Sequence, residues 1–259
     1  MKTGEENRII VVEKMVVKFG REFSRLNISY VEVQMVKIDD LSKIAILVDF
    51  DGTITTADTN DELIRIHMND RIETLWKKYR NDEIDLLSLM ELQFKEVKIT
   101  EEEYINFILN EFHISEGFVE FYKKVKEEDI PFAVISGGFD NGIIPFLKKH
   151  GIDDADVYAN SFVFNDDSIS VKFYDEGNFD CCENGPCGNC KIRHYKDYKE
   201  KRDKVIFIGD GFTDKCVSEV ADIVFAKDNL LDYCKEKHID CIPWKDFNDI
   251  SKLIFNKVR

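Results

Sequence analysis

The sequence lacks any hydrophobic run long enough to cross a lipid bilayer, which requires about 20 consecutive apolar residues. No transmembrane helix and no membrane partner are therefore expected. The chain also lacks a recognisable secretory signal, because the apolar residues 9–12 are followed at once by Glu13 and Lys14. Together the two absences predict a cytoplasmic protein.

Positive charge is also scarce. The chain has 36 lysines and arginines against 51 aspartates and glutamates, which gives a formal net charge of −15. An acidic chain of this kind repels the phosphate backbone of nucleic acids, so nucleic acid is not an expected partner. A phosphorylated ligand would have to be held by local amides, a lysine and a metal ion, and we expect it to be a small metabolite.

The sequence does contain enough apolar material for a sizeable core. Hydrophobic residues make up 44% of its 259 positions, and 20 residues are phenylalanine. This length allows one large domain and a smaller insert.

One predicted strand delivers two carboxylates to its carboxyl end. The apolar residues 44–48 run directly into DFDGTIT, in which Asp49 and Asp51 precede a turn at Gly52. Because side chains alternate along a strand, both carboxylates leave the same face. Their repulsion favours a bound cation, and Mg²⁺ prefers oxygen ligands of this kind. An exposed acidic turn is the alternative, whereas an EF-hand is excluded because its twelfth position would be Asn60 instead of glutamate.

A second acidic group follows another predicted strand. Residues 204–208 read KVIFI, and GDGFTD comes directly after them at residues 209–214. Asp210 and Asp214 would reach the same sheet edge as Asp49 if the two strands are neighbours in a parallel sheet. Ligands bind in the crevice at that edge, so the sequence predicts one shared site.

A third predicted strand, residues 132–135, ends in Ser136, Gly137 and Gly138. The serine hydroxyl and the glycine amides could hold phosphate oxygens, and a helix expected to begin near Phe139 would point its positive end the same way. An ordinary turn between a strand and a helix is the alternative.

In letters, order and spacing, DFDGT at 49–53, ISGG at 135–138 and GDGFTD at 209–214 resemble the motifs of the haloacid dehalogenase-type phosphatase superfamily. The resemblance implies an α/β fold, with a Rossmann-like parallel sheet, helices on both faces, and a helical cap inserted after the first strand. The implied phosphatase core covers residues 44–57 and 114–259, and the implied cap covers residues 58–113.

The same resemblance implies a mechanism. Asp49 would attack phosphorus and form an aspartyl-phosphate, while Asp51 would protonate the leaving group and then take a proton from water. Mg²⁺ would be held by the carboxylates of Asp49 and Asp210 and by the main-chain carbonyl of Asp51, with Asp214 acting through water.

The resemblance also implies which groups hold the phosphoryl oxygens. These are the Ser136 hydroxyl, the Gly137 amide and a lysine placed between the second and last motifs, for which Lys191 is the best candidate. The alternative for Lys191 is an ordinary solvated lysine.

Helical patterns between the first two motifs resemble the cap of the phosphoserine phosphatase-like branch. Asp58 suits a helix N-cap, and Thr100 with Glu103 suits a capping box that begins a further helix. We expect Asp58 and Asn60 to contact the substrate, with Arg65 as a weaker candidate. The alternative is that these residues only cap the helix.

Four cysteines, Cys181, Cys182, Cys187 and Cys190, stand together before the candidate lysine. Without a signal peptide, disulfides are not expected, and four thiolates could hold a structural Zn²⁺. The first two cysteines are adjacent, which strains such a site, so reactive or incidental thiols are the alternative.

The cysteine-rich segment and the sequence VFAKDNLLDYC at 224–234 are similar to a bacterial methionine-salvage subgroup. This similarity implies 2-hydroxy-3-keto-5-methylthiopentenyl-1-phosphate as the substrate. Phosphoserine, phosphoethanolamine and pyridoxal phosphate are alternative substrates, and a non-enzymatic module that binds a phosphorylated ligand is an alternative function. The sequence does not predict an oligomeric state.

The first 43 residues are expected to form an N-terminal extension of unclear role. Alternation at residues 30–36 predicts a strand that adds to a sheet edge, and Met35 is an alternative start of the chain.

Overall fold

The computed structural model describes residues 10–17, 31–38, 40–68, 71–175 and 186–255. The strands are β1 Ile10–Val17, β2 Val31–Ile38, β3 Ile44–Val48, β4 Phe132–Phe139, β5 Asp156–Asn165, β6 Ser168–Lys172, β7 Lys204–Gly209, β8 Ile223–Ala226 and β9 Ile242–Pro243. The helices are α1 Thr59–Met68, α2 Arg71–Arg80, α3 Leu86–Phe94, α4 Glu101–Glu111, α5 Phe118–Glu127, α6 Asp140–Lys149, α7 Lys191–Lys199, α8 Lys215–Ser218, α9 Asp228–Lys237 and α10 Phe247–Phe255.

The larger sheet is mostly parallel. Its seven strands lie in the order β6-β5-β4-β3-β7-β8-β9. The pairs β4–β5, β7–β8 and β8–β9 are parallel, and β6 runs antiparallel to β5. Every residue of β3 is apolar and buried, as expected of a strand covered on both faces. The predicted α/β fold is confirmed.

The strand predicted near residues 30–36 is present as β2, and the sequence named no partner for it. It pairs antiparallel with β1 in a separate sheet of two strands, instead of extending an edge of the larger sheet. Alternation of side chains identifies a strand, whereas the choice of its neighbour depends on distant segments.

The capping signals in the sequence correspond to real helix starts. The Thr100 hydroxyl accepts a hydrogen bond from the Glu103 amide at 3.3 Å, and the Glu103 carboxylate accepts one from the Thr100 amide at 2.9 Å. This is the predicted capping box at the start of α4. The helix predicted to begin near Phe139 is α6, for which Phe139 is the N-cap residue.

Packing divides the chain into two compact units. The first contains the described parts of residues 1–46, together with 116–132 and 198–259. Its core includes Phe118 and Phe121 of α5, whose ring centroids lie 4.8 Å and 5.2 Å from that of Phe247 in α10.

The second unit contains the described parts of residues 47–115 and 133–197. Its core includes Phe139 stacked on Phe162 with centroids 3.5 Å apart, and Phe94 of α3 lies 4.9 Å from each of them. These contacts join α3 to β4 and β5. No helix in the described part of the chain combines the length and apolarity needed to cross a membrane.

Candidate active site

A tight turn follows β3 and sets the direction of the first acidic motif. Gly52 has φ 72°, a left-handed conformation that glycine adopts without a steric penalty. The Thr55 hydroxyl contacts the carbonyl oxygens of Phe50 at 3.1 Å and Ala57 at 2.8 Å, and it accepts the Gly52 amide at 3.2 Å. The turn predicted at Gly52 is therefore confirmed, and the Thr55 hydroxyl closes it.

The Asp51 carboxylate is held at both oxygens. Oδ1 accepts hydrogen bonds from the Thr59 amide at 3.0 Å and from the Thr59 hydroxyl. Oδ2 accepts from Asn60 Nδ2 at 3.0 Å and from the Ser136 hydroxyl at 3.4 Å. The first turn of α1 and the end of β4 thus hold this carboxylate in one orientation.

Lys191 forms a buried ion pair with Asp49. Its Nζ lies 2.7 Å from Asp49 Oδ1, and the two side chains are only 3% and 6% exposed. An exposed, solvated lysine is therefore excluded. Lys191 is also the first residue of α7, the end of a helix where positive charge is least favourable, so its position does not stabilise the helix itself.

The segment from Ser136 to Gly138 is tightly constrained. The Ser136 hydroxyl accepts a hydrogen bond from the Gly138 amide at 2.8 Å. The Gly137 carbonyl accepts one from Asn160 Nδ2, also at 2.8 Å, and Asn160 is fully buried. The structure therefore brings Ser136 to Asp51 and anchors the backbone on either side of it.

The residues before Lys191 are anchored by Asp175. The buried Asp175 carboxylate accepts the Cys190 amide at 2.7 Å and forms an ion pair with Arg193. The Asp175 amide donates to the Gly188 carbonyl at 2.8 Å. Both the start of α7 and the segment before it are thereby fixed.

The second acidic motif forms a compact turn after β7. Asp214 is fully buried, and its Oδ2 accepts the amides of Asp210 at 3.0 Å and Gly211 at 2.9 Å. A Cβ on Gly209 would lie 2.4 Å from the same oxygen, so this position requires glycine. The Leu230 amide of α9 donates to the Asp210 carbonyl at 2.8 Å. Asp214 thus fixes the backbone that carries Asp210.

Asp58 caps α1. Its Oδ1 accepts the amides of Asn60 and Asp61, each at 2.9 Å. Although Asp58 is exposed, the protein atoms packed around its carboxyl raise its pKa. The same desolvation, together with the neighbouring Asp58, raises the pKa of Asp61 to about 6. The capping role, which was the alternative to substrate contact, is therefore present for Asp58.

The other two candidate substrate residues lie in different environments. The Asn60 side chain is hydrogen-bonded to the Asp51 carboxylate, as described above, so it belongs to the acidic motif. Arg65 is exposed and pairs with Glu62 one turn earlier on the surface of α1.

The cysteine-rich segment is only partly described. Cys181 and Cys182 lie outside the described residues. Cys190 is buried and disulfide-bonded, so the expectation that disulfides are absent is wrong at this residue, and Cys190 cannot serve as one of four thiolate ligands of a Zn²⁺ site. Cys187 Sγ lies 3.5 Å from the Asn189 carbonyl oxygen. Among the described residues, the group of side chains that lie close enough together to hold a metal ion consists of carboxylates and includes no cysteine.

Sequence reasoning missed several residues that shape the site. Thr59 binds Asp51, Asp175 anchors the Lys191 segment, and Asn189 connects that segment to Ser136. Thr59 could have been found from its place in the first turn of a helix next to Asp51. No local signal identifies Asn189, because its partner lies 53 residues away.

Comparison with known families gives a match over most of the chain. Residues 46–219 match the model of the haloacid dehalogenase-like hydrolase family. The chain is 34% identical over 224 residues to a 2-hydroxy-3-keto-5-methylthiopentenyl-1-phosphate phosphatase of Bacillus pumilus (strain SAFR-032), a match that covers 85% of this chain and 94% of that protein. It is 33% identical over 208 residues to the phosphatase of the same name from Bacillus cereus (strain B4264), covering 80% and 94%.

Solved structures share the fold at lower identity. A substrate-bound phosphoserine phosphatase complex gives a TM-score of 0.60 at 22% identity, over 82% of this chain and 97% of that one. Cytosolic 5'-nucleotidase IIIB bound to cytidine gives 0.57 at 16% identity, over 83% and 85%. At this identity the likeness shows the fold alone.

Proposed function

The chain belongs to the haloacid dehalogenase-like hydrolase family and is a phosphatase, and from this premise we propose that it hydrolyses a small phosphorylated metabolite through an aspartyl-phosphate formed on Asp49. The observation that carries the proposal is the buried contact between Lys191 and Asp49 beside the hydrogen-bonded Asp51. Buried charge of this kind at the end of an apolar strand is better explained by chemistry than by stability.

In the first step, a carboxylate oxygen of Asp49 attacks phosphorus in line with the leaving group. A carboxylate nucleophile divides the hydrolysis into two displacements, each of which needs charge neutralisation more than strong nucleophilicity. The Lys191 ammonium supplies a positive charge within 2.7 Å of this carboxylate. We expect it to stabilise the charge that spreads over the phosphoryl oxygens.

Asp51 is the proposed general acid and base. It donates a proton to the departing alkoxide and then takes one from the water that hydrolyses the aspartyl-phosphate. The four hydrogen bonds from Thr59, Asn60 and Ser136 support this role, because they fix the carboxyl group in one orientation.

The phosphoryl oxygens are proposed to bind to the Ser136 hydroxyl, the Gly137 amide and Lys191. This assignment is supported by the contacts that hold Ser136 beside Asp51 and Lys191 beside Asp49. Donors fixed before the substrate arrives need no reorganisation during the reaction.

We expect Mg²⁺ to be held by Asp49, Asp210 and the main-chain carbonyl of Asp51, with Asp214 acting through water. The donor chemistry supports this expectation, because Asp49, Asp210 and Asp214 are described carboxylates that could share a metal ion, and oxygen ligands suit Mg²⁺. When bound, the ion offsets negative charge on the phosphoryl group.

The proposed substrate is 2-hydroxy-3-keto-5-methylthiopentenyl-1-phosphate. The support is the name of the relatives that are 34% and 33% identical over at least 80% of this chain. The helices between residues 58 and 113 are proposed to form the cap that selects the substrate and excludes water.

The proposal is tested by measuring phosphate release with Mg²⁺ from four compounds: the methylthiopentenyl enol-phosphate, phosphoserine, phosphoethanolamine and pyridoxal phosphate. We expect the enol-phosphate to be preferred, and EDTA to stop release until Mg²⁺ is restored. Asp49→Asn should lower kcat by at least about 10³-fold, because an amide is a poor nucleophile.

The matched control is Asp232→Asn, which makes the same change at an exposed position on α9 and should leave kcat unaltered. Substantial Mg²⁺-dependent release by folded Asp49→Asn would contradict the assigned nucleophile. A preference for phosphoserine would reject the proposed substrate and keep the mechanism, whereas no release from any of the four compounds would favour a phospholigand-binding module.

A further inference from the structure

One buried asparagine joins the two segments that carry the proposed phosphate-binding groups. Asn189 is only 2% exposed, and its Nδ2 donates to the Ser136 carbonyl at 2.9 Å and to the Tyr158 carbonyl at 2.8 Å. Its Oδ1 lies 2.7 Å from His194 Nε2. Every polar group of this side chain therefore has a partner.

The chemistry of these partners fixes the hydrogen positions. Two carbonyl oxygens can only accept, so the atom that faces both must be the amide nitrogen of Asn189. Its oxygen then accepts, and His194 must carry a proton on Nε2. His194 is neutral in this arrangement, since burial lowers its pKa to about 4.

Holding the Ser136 carbonyl also sets the direction of the Gly137 amide. The Ser136 carbonyl and the Gly137 N–H belong to one planar trans peptide group, in which they point in opposite directions. Because Asn189 pulls the carbonyl to one side, the N–H must face the other. The next peptide is fixed in the same way, since Asn160 binds the Gly137 carbonyl while the Gly138 amide donates to the Ser136 hydroxyl.

Asn189 is also two residues before Lys191 in the chain. The Cys190 amide between them is bound by Asp175, so the backbone has little freedom from Asn189 to Lys191. A displacement of Asn189 would therefore move both the Gly137 amide and the Lys191 ammonium.

His194 supports this asparagine from the first turns of α7. Its ring packs against two tyrosines, with centroids 4.6 Å from Tyr158 and 5.3 Å from Tyr174. The stacked ring cannot turn freely, so it holds the Asn189 amide in the plane in which both donor bonds form.

From these contacts we infer that Asn189, held by His194, is the positioning residue that aligns the Gly137 amide and Lys191 on the same phosphoryl group. The inference rests on the proposed phosphatase mechanism and deepens it. Asn189 touches no reacting atom and acts only through the groups that it holds.

The test is steady-state hydrolysis of p-nitrophenyl phosphate by the full chain with Mg²⁺, together with calorimetric binding of inorganic phosphate. Asn189→Ala should lower kcat about 10²-fold and weaken phosphate binding, because displacing such groups by about 1 Å costs a factor of this size. His194→Phe keeps the stacked ring and removes the donor, so it should give a smaller loss in the same direction.

The matched control is Asn141→Ala. Asn141 also ties a helix to a strand, since it accepts the Phe162 amide at 2.7 Å and donates to the Phe162 carbonyl at 3.3 Å. It lies outside the proposed binding groups, so this variant should be less stable and yet keep the kcat of the wild type when measured well below its melting temperature.

A double-mutant cycle with Lys191→Met separates positioning from a merely structural role. If Asn189 acts through Lys191, adding Asn189→Ala to Lys191→Met should lower kcat much less than it does alone. Two results would overturn the inference while leaving the phosphatase mechanism intact. The first is that the losses of kcat in the cycle are multiplicative. The second is that Asn189→Ala and His194→Phe fold and keep the kcat and the phosphate affinity of the wild type. If Asn189→Ala does not fold, His194→Phe decides alone. A wild-type protein that neither hydrolyses the ester nor binds phosphate would reject both.

Discussion

At the scale of single residues, Gly138 is a position where an added side chain would disturb the contacts of Asp51. A Cβ there would lie 2.4 Å from Asp51 Oδ2, 3.0 Å from Asn60 Nδ2 and 3.1 Å from the Ser136 hydroxyl. These atoms are ends of side chains, so they can move, but each movement breaks a hydrogen bond of Asp51. We predict that Gly138→Ala lowers kcat by about 10²-fold with a small change in melting temperature, measured by phosphate release and circular dichroism.

Gly151→Ala is the matched control, because the opposite result is expected: a loss of stability without a loss of kcat. Gly151 has φ +76° and no atom within 4 Å of the added Cβ, so alanine there is strained without meeting a neighbour. It should lower the free energy of unfolding by about 1–2 kcal/mol and leave kcat unchanged. Wild-type kcat in Gly138→Ala would mean that the Asp51 contacts are not needed for turnover.

The reacting residues were more predictable than the residues that hold them. Asp49 and Asp51 stand out because two carboxylates one residue apart at the end of an apolar strand have few structural uses. Asn60 was predicted to contact substrate, which stays a prediction, whereas its hydrogen bond to Asp51 was not predicted. Asn189 was not predicted, because its contacts with Ser136 and Tyr158 arise only when distant segments meet in the fold.

At the scale of elements, the capping box of α4 gives a measurable stability. Thr100→Ala removes the hydroxyl that accepts the Glu103 amide and leaves that amide with water as its partner. We predict a loss of about 1 kcal/mol in the free energy of unfolding, measured by urea denaturation, with little change in kcat.

The matched control lies at the other end of the same helix. Glu111→Ala removes a negative charge where the helix dipole disfavours one, so the free energy of unfolding should stay the same or rise slightly. Equal changes in the two variants would show that the Thr100 cap makes no specific contribution to the stability of α4.

Helix starts were readable from the sequence because caps are local, whereas strand pairing was not. The signal at Thr100 needs only three following residues, and α4 begins where it predicts. The alternation at residues 30–36 correctly marks β2, but its pairing with β1 depends on a segment more than a dozen residues earlier.

At the scale of the whole molecule, the three sequence motifs follow three strands that belong to one sheet. The strands β4, β3 and β7 are consecutive in the sheet, and they carry the serine, first acidic and second acidic motifs respectively. Adjacent strands in a mostly parallel sheet end at one edge. The sequence predicted a shared edge only on the condition that β3 and β7 are neighbours, and the strand order meets that condition. No sequence pattern predicted the two-stranded sheet of β1 and β2.

The stability of the whole molecule should depend on the protonation of His194. Burial, the largest influence, lowers its pKa from 6.5 to about 4, although Asp175 and Asp197 oppose the shift and the cations of Arg193 and Lys191 reinforce it. Between these two pH values the unfolded chain holds a proton on this histidine that the folded chain does not.

This difference in proton binding sets the sign of the pH dependence. As the pH falls from 6.5 to about 4, His194 should lower the free energy of unfolding by at most about 1.4 kcal/mol per pH unit. Asp61 acts in the opposite sense between its ordinary pKa of 3.8 and about 6, so the wild-type curve alone is ambiguous. The measurement is urea denaturation at several pH values for wild type and His194→Phe, whose difference isolates the histidine. The advantage of the wild type should shrink as the pH falls, and parallel curves would show that His194 titrates normally in the folded protein.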